Sequence, residues 1–410
     1  MSSTPSPEPS PQGEEEGGGE GVVGRAWGKV VLFGEYAVLE GAPALVCATG
    51  RAAEARWGGA RWGEALEGEP LGAGEARYRV EAVGLGVGEW RGARVSPGGA
   101  DLAALAARLD LLDLEAGARA GLELPFALAA LRALDAPSGV YRVDTRALSV
   151  PVAGRGGEGA REKLGLGSSG AATAALVDLG ARLGLAPADP AARFSLTQSL
   201  HRRVQGDLGS GADVAASVWG GLLRYRWLEG EAARAPLEVG ESRAPVWARG
   251  ALVGEGRAAP LSSSLPPHLW VWMGQSASTP ALVRGVWAWR ARDASSYRAA
   301  LAAVEEARAL ACDALSAPHL SAGERARLFC EATAAGGRAA RALGEGAGVP
   351  VWTPAHEELR ALVEPLGGAL KPTGAGGGDI SLVSAPSEEV LGRLLGALEG
   401  AGWACVSLAQ

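Results

Sequence analysis

The stretch 163-KLGLGSSGAATAALV-177 decides how this chain is read. Gly165, Gly167 and Gly170, with Ser168 and Ser169 among them, open an Ala- and Leu-rich segment whose spacing predicts a helix over 169–185. A glycine-rich turn that enters a helix is an anion site. Small residues let backbone N–H groups approach an oxygen, and the helix dipole favours negative charge there. The run is neither a Walker A loop nor a GxGxxG turn after a Rossmann strand, and taken alone it is equally compatible with simple helix capping. Its neighbour Lys163 adds weight, because only three of the 39 basic residues are lysine. The other two, Lys29 in 28-GKVVLFGEYAVLEG-41 and Lys371 in 371-KPTGAGGGD-379, also flank glycine-containing turns.

Working outward, 410 residues exceed one ordinary core and suit two domains. The net charge of -7 disfavours a protein that coats nucleic acid, which carries a basic stripe. Cys47, Cys312, Cys330 and Cys405 are scattered, as are the four histidines, so neither a disulfide framework nor a metal cluster is legible. A reduced, cytoplasmic setting is the expectation. No apolar run approaches the ~20 residues that span a bilayer. Residues 1–22, rich in Pro, Ser, Glu and Gly, lack the features of a signal peptide and read as a disordered tail.

Elements of both kinds interleave without a regular βαβ rhythm, so an α+β class is expected. Residues 23–50 read as strand, turn and apolar segment, and 51–100 as antiparallel strands. Helical spacing covers 101–135, about 190–205, and about 295–345. The charged, Pro-containing stretch 228–268 reads as the approach to a second domain, giving a first domain over 23–235 and a second over 236–410. Trp270, Trp272, Trp287 and Trp289 sit at strand spacing and read as core or sheet-face residues.

Two further loops strengthen the anion reading. The segment 205-QGDLGSGADVAASVWGG-221 holds Ser210 and Asp213 among small residues, and Gly374, Gly376, Gly377 and Gly378 precede Asp379. A run of four glycines is entropically costly to order unless something approaches the backbone closely. Three such loops point to phosphoryl chemistry.

The segments 28–41, 163–177 and 371–383 resemble the three signature motifs of the GHMP small-molecule kinases, in family order and spacing. The segments 205–225 and 272–283 are similar to the Asp loop and the Ser-Thr segment of the phosphomevalonate kinase branch. The resemblance implies a two-domain GHMP fold, with a ribosomal S5 domain 2-like first domain and a ferredoxin-like second. It implies ATP and Mg2+ as cofactors and phosphomevalonate, a small molecule, as acceptor. It implies no nucleic-acid or membrane partner, and a monomer or homodimer. Mevalonate kinase, another GHMP kinase, or a non-catalytic metabolite-binding regulator are the alternatives. By the resemblance, Lys29 and Asp213 are catalytic, and Lys163, Gly165, Gly167, Ser168, Ser169 and Gly170 hold ATP, the two serines also reaching Mg2+. Tyr36, Ser210, Ser278, Thr279, Lys371, Gly374, Gly376, Gly377 and Gly378 then face the acceptor. Tyr36 stands where mevalonate kinases usually have His. The helix before the Asp loop, 194-FSLTQSLHRRVQG-206, lacks the acid that mevalonate kinases use for Mg2+. Its His201, Arg202 and Arg203 either draw in an anion or form a solvated basic face. Asp379 reads as the start of a strand, and Ser276 as a further substrate contact or part of a polar turn.

Overall fold

Val23–Phe33 (β1) alternates buried and less buried residues, the period of two of a strand packed on one face. Ala26, Val30 and Leu32 are buried, while Lys29 and Val31 line a large cavity. The structure is a computed structural model and describes residues 21–58, 71–83, 86–95, 99–112, 124–151, 161–205, 209–230, 232, 240–248, 251–261 and 264–408. All but the last two residues of the expected tail lie outside these.

The first sheet contains β1 together with β2 (Ala44–Trp57), β3 (Glu75–Ala82), β4 (Gly86–Ala93), β5 (Gly139–Asp144), β8 (Leu222–Leu228), β9 (Ser242–Ala248) and β10 (Ala251–Leu261). Its order is β4-β3-β5-β2-β8-β10-β9, with β1 paired to β2. All pairs are antiparallel except β3 with β5. A separate hairpin, β6 (Ser149–Pro151) with β7 (Arg161–Lys163), leads into the 163–177 stretch. Because β9 and β10 belong to this sheet, it extends past residue 235 to Leu261. The prolines of 228–268 mask these strands in the sequence. Pro245 lies on β9, an outer strand of the sheet, where a missing N–H costs little.

The expected helix over 101–135 is two helices, α1 (Leu102–Leu111) and α2 (Leu124–Ala133), and 113–123 lie outside the described residues. Then come α3 (Ser168–Arg182), α4 (Pro190–Gln205) and α5 (Ala212–Trp219). α3 and α5 pack on β1 and β2, and α4 packs on β9. The remaining strands, β11 (His268–Trp272), β12 (Ala369–Pro372), β13 (Ile380–Ser384) and β14 (Ala404–Cys405), form an antiparallel sheet of order β12-β13-β11-β14. Around it lie α6 (Thr279–Arg292), α7 (Ala294–Ser316), α8 (Ala322–Ala347), α9 (Pro354–Val363) and α10 (Glu388–Gly400). Trp270 and Trp272 are on β11 as their spacing suggested, but Trp287 and Trp289 are on helix α6. The two halves share a core: Phe33 at the end of β1 meets Phe329 of α8 edge-on, with centroids 5.8 Å apart.

One buried histidine makes the fold sensitive to acid. His356, in the first turn of α9, accepts a hydrogen bond from Thr353 N (3.0 Å) and pairs with Thr353 Oγ1 (2.7 Å). Burial pulls its pKa down to about 4. The unfolded chain therefore binds a proton that the folded chain refuses, and stability is lost as pH falls from 6.5 toward 4. Between pH 7 and 5 this costs about 2 kcal/mol. His356→Gln, which keeps an acceptor and cannot titrate, is expected to flatten that part of the pH dependence in urea unfolding. An unchanged slope would show that other groups carry it.

Candidate active site

The turn into α3 is built on Gly167, whose φ of 72° is a left-handed conformation that glycine adopts without penalty. Lys29 clasps this turn twice, through its backbone N–H to Leu166 O (2.9 Å) and its Nζ to Gly165 O (3.0 Å). A Cβ placed on Gly167 would lie 3.0 Å from Lys29 Cε and 3.4 Å from Asp213 Cβ. One on Gly170 would lie 3.2 Å from Asp213 Oδ2. Lys29 of β1, the glycine loop and Asp213, in the first turn of α5, are thus in contact, although they are far apart in sequence. The N-termini of α3 and α5 meet here, each following a glycine cap.

These groups border a cavity of about 1090 Å³ between the two halves. Lys163, Ser168, Ser169, Tyr36, Ser210, Ser278, Thr279 and Gly374 line it with them. Gly170 supports it from behind, against Asp213. Ser276 and Asp379, from the second half, seal its edge. Ser276 Oγ donates to Lys163 O (2.9 Å), and the Asp379 carboxylate accepts from Ala277 N (3.2 Å) and packs on Gly165. Burial raises the pKa of Asp379, and Lys29 works against that rise. Asp379 therefore does more than begin β13: it holds the second half against the glycine loop. The Tyr36 hydroxyl donates to Ala375 O (2.7 Å), so it ties β1's turn to the third glycine loop.

Several expected residues fall elsewhere. Gly376, Gly377 and Gly378 do not line the cavity. A Cβ on them would meet Val351 O at 2.5 Å, Leu282 Cδ1 at 2.9 Å and Gln275 O at 2.6 Å, so they are glycine because neighbouring segments press on them. Lys371 also leaves the acceptor face. It is 1% exposed and ion-paired with Glu35, and it donates to Leu32 O (2.5 Å) and Pro372 O (2.7 Å). Burial lowers the Lys371 pKa and raises that of Glu35, each opposed by the other's charge. Lys371→Met strands the Glu35 carboxylate and is expected to cost about 3 kcal/mol in urea unfolding, with kcat near that of wild type in the folded enzyme. A collapse of kcat/KM at undiminished stability would return Lys371 to the substrate.

The basic end of α4 is not a solvated face. His201 is buried, stacked on Phe126 at 5.0 Å, and its Nε2 lies 3.1 Å from Ser169 Oγ and 3.3 Å from Gln205 Nε2. Burial lowers its pKa, against the pull of Asp213. Arg202 is buried over the Trp227 ring at 4.8 Å and donates to Gly209 O (2.8 Å), while Arg203 donates to Leu112 O (3.2 Å). Of the three, His201 lines the cavity. Residues with no assigned role in the sequence reading also appear there, among them Glu35, Phe126 and Arg284. Glu35 lies inside a quoted motif, whereas Arg284 is marked only once α6 is placed over the cavity.

For Mg2+, the donors at the turn into α3 are the Asp213 carboxylate and the Ser168 and Ser169 hydroxyls; the other carboxylates of the lining, Glu35 and Asp379, are already engaged by Lys371 and by Ala277 N. No group of three or more His, Cys, Asp or Glu side chains is gathered for a metal among the described residues. So sparse an oxygen set fits a hard cation that keeps most of its ligands as phosphate oxygens and water.

Residues 146–221 match the family model described as the GHMP kinases N terminal domain. The chain is 29% identical over 388 residues to the phosphomevalonate kinase of Streptomyces sp. (strain CL190), covering 90% of both chains. A Streptococcus pneumoniae phosphomevalonate kinase in complex with phosphomevalonate and AMPPNP shares the fold, with TM-score 0.61 and 18% identity over 94% of this chain and 98% of that one. The Methanococcus jannaschii mevalonate kinase does so with TM-score 0.58 and 14% identity, covering 95% and 98%. Among the described residues no helix is long and apolar enough to cross a membrane.

Proposed function

We propose that this chain is a kinase of the GHMP superfamily, whose N-terminal domain model it matches over residues 146–221, and that it transfers the γ-phosphate of ATP to phosphomevalonate, giving diphosphomevalonate. The observation that carries the reading is the placement of Lys29 and Asp213 on the same glycine, Gly167, at the mouth of the α3 N-terminus. The choice of acceptor rests on the Streptomyces phosphomevalonate kinase relative, which spans most of the chain.

In this reading the amides of the 165–170 loop receive the ATP phosphates, with Lys163 at its edge. Ser168 and Ser169 would hold Mg2+, which supplies charge neutralisation on the phosphates when bound. The Ser169 hydroxyl is oriented from behind by His201. The acceptor lies on the side of Ser210, Ser278, Thr279 and Gly374. A phosphate monoester has a second pKa near ~6 and is mostly dianionic at neutral pH, so it needs no strong base. The barrier is the approach of two anions, which fixed cations and in-line positioning lower. Lys29 neutralises charge between the two phosphates, and Asp213 keeps Lys29 and the ion's water shell in place. Were the acceptor an alcohol, Asp213 would be the natural proton acceptor.

A coupled ADP-release assay across mevalonate, phosphomevalonate, homoserine and galactose tests the proposal. Turnover is expected with phosphomevalonate alone. Equal or better turnover with mevalonate would make the protein a mevalonate kinase.

A further inference from the structure

A second concave surface lies away from the catalytic loop and shares no lining residue with its cavity. It has a volume of about 570 Å³ and is walled by β1, β2, the end of β5 and the 146–149 turn. Four guanidiniums line it (Arg25, Arg51, Arg146 and Arg161) against two carboxylates, Glu54 and Asp144. On a chain of net charge -7 this is a local positive excess.

The carboxylates are already engaged. Arg146 chelates Asp144, with Nη2 at 2.6 Å, and Arg25 and Arg56 share Glu54, at 2.5 and 3.0 Å. Arg51 and Arg161 form no salt bridge among the described residues, although the charge of Arg161 reaches Asp144; backbone oxygens and the Ser149 hydroxyl hold them instead. Arg51 donates from Nε to Ser407 O (3.1 Å) and from Nη1 to Ala147 O (3.2 Å). Arg161 donates from Nε to Ser149 Oγ (2.8 Å) and from Nη2 to Arg146 O and Ser149 O (both 2.8 Å). Carbonyl acceptors fix a guanidinium's plane without cancelling its charge. The Nη2 of Arg51 and the Nη1 of Arg161 make no hydrogen bond among the described residues. Two like charges are held near each other, and burial, then the charge of Arg161, lower the pKa of Arg51.

We infer that this depression binds a small anion through a phosphate or diphosphate group, with Arg51 and Arg161 as its fork. Preorganised guanidiniums match the geometry of phosphate oxygens and lose little freedom on binding. The surrounding negative charge of the protein disfavours an extended polyanion such as nucleic acid. The site also adjoins catalytic segments: Trp27 on its wall is two residues before Lys29 on β1, and Arg161 is two before Lys163 on β7.

Inorganic pyrophosphate, titrated calorimetrically into the full chain without ATP or acceptor, tests this independently of any kinase activity. A binding event is expected that survives Lys29→Met combined with Ser169→Ala. It is expected to weaken about tenfold or more in Arg51→Gln/Arg161→Gln, whose kcat stays near wild type. Arg51→Lys/Arg161→Lys keeps the charge without the fork and is expected to fall between; it carries the test if the glutamine pair melts early. Binding that vanishes with the catalytic-loop changes and ignores both arginine pairs would overturn the proposal. So would the absence of binding to wild type at millimolar pyrophosphate.

Discussion

Lys29→Met is expected to lower kcat by about 10²–10³-fold while the KM for ATP moves little. Methionine keeps much of the stem that packs against Gly167, so the turn into α3 retains its shape and its amides. What disappears is the ammonium that reaches Gly165 O and faces the cavity. A charge whose work is done between two approaching phosphates is felt most in the transition state, and its loss falls on kcat rather than on ground-state binding. The deletion leaves Gly165 O without that donor, a minor structural cost beside the catalytic one. Thermal melts close to wild type, with a collapse of kcat in the ADP-release assay, would fit this account. An unchanged kcat would remove Lys29 from the chemistry and leave it as a clasp on the loop.

The parts of the site that were legible in the sequence are those whose chemistry is local. A glycine turn running into a helix suits an anion as well as a simple cap, and Gly165, Gly167, Ser168 and Ser169 line the cavity. Asp213 was legible for the same reason, as one acid among small residues. The 371–379 loop divides: Gly374 lines the cavity, whereas Lys371 and Gly376–Gly378 look alike in composition but answer to tertiary neighbours. Gly376–Gly378 are pressed by Val351, Leu282 and Gln275, and Lys371 answers Glu35, from segments remote in sequence. No local pattern distinguishes a glycine that makes room for a ligand from one that makes room for a neighbouring segment of the chain. His201 shows the converse. It sits on the helix that lacks the expected acid, where its neighbours Arg202 and Arg203 suggested solvent, yet packing turns it toward Ser169. The fold class was legible from the interleaved spacings, but β9 and β10 were hidden by their prolines, Pro245 on the outer strand β9 and Pro260 near the end of β10.

Asp213→Asn is expected to slow turnover of phosphomevalonate while the acid limb of kcat/KM stays where it is, near pH ~6. In the proposed mechanism that limb belongs to the acceptor, whose phosphate must be a dianion to attack, and no protein base is titrated. The structure supplies a competing source that the same experiment separates. His201 touches Ser169, and its protonation would disturb the 165–170 loop on the acid side as well. Burial lowers its pKa, and the negative charge of Asp213 partly restores it. Removing that charge must therefore push a His201 limb to lower pH, whereas a limb set by the substrate does not move. A third case follows if the acceptor is an alcohol. Asp213 is then the base, and its amide variant loses both the acid limb and nearly all activity. Profiles of wild type and Asp213→Asn, with melts to show that the variant is folded, distinguish the three by position and amplitude. A fixed limb of reduced height supports a site centred on Lys29. A limb shifted downward assigns the titration to His201, and its disappearance with the activity would sink the electrostatic role given to Asp213.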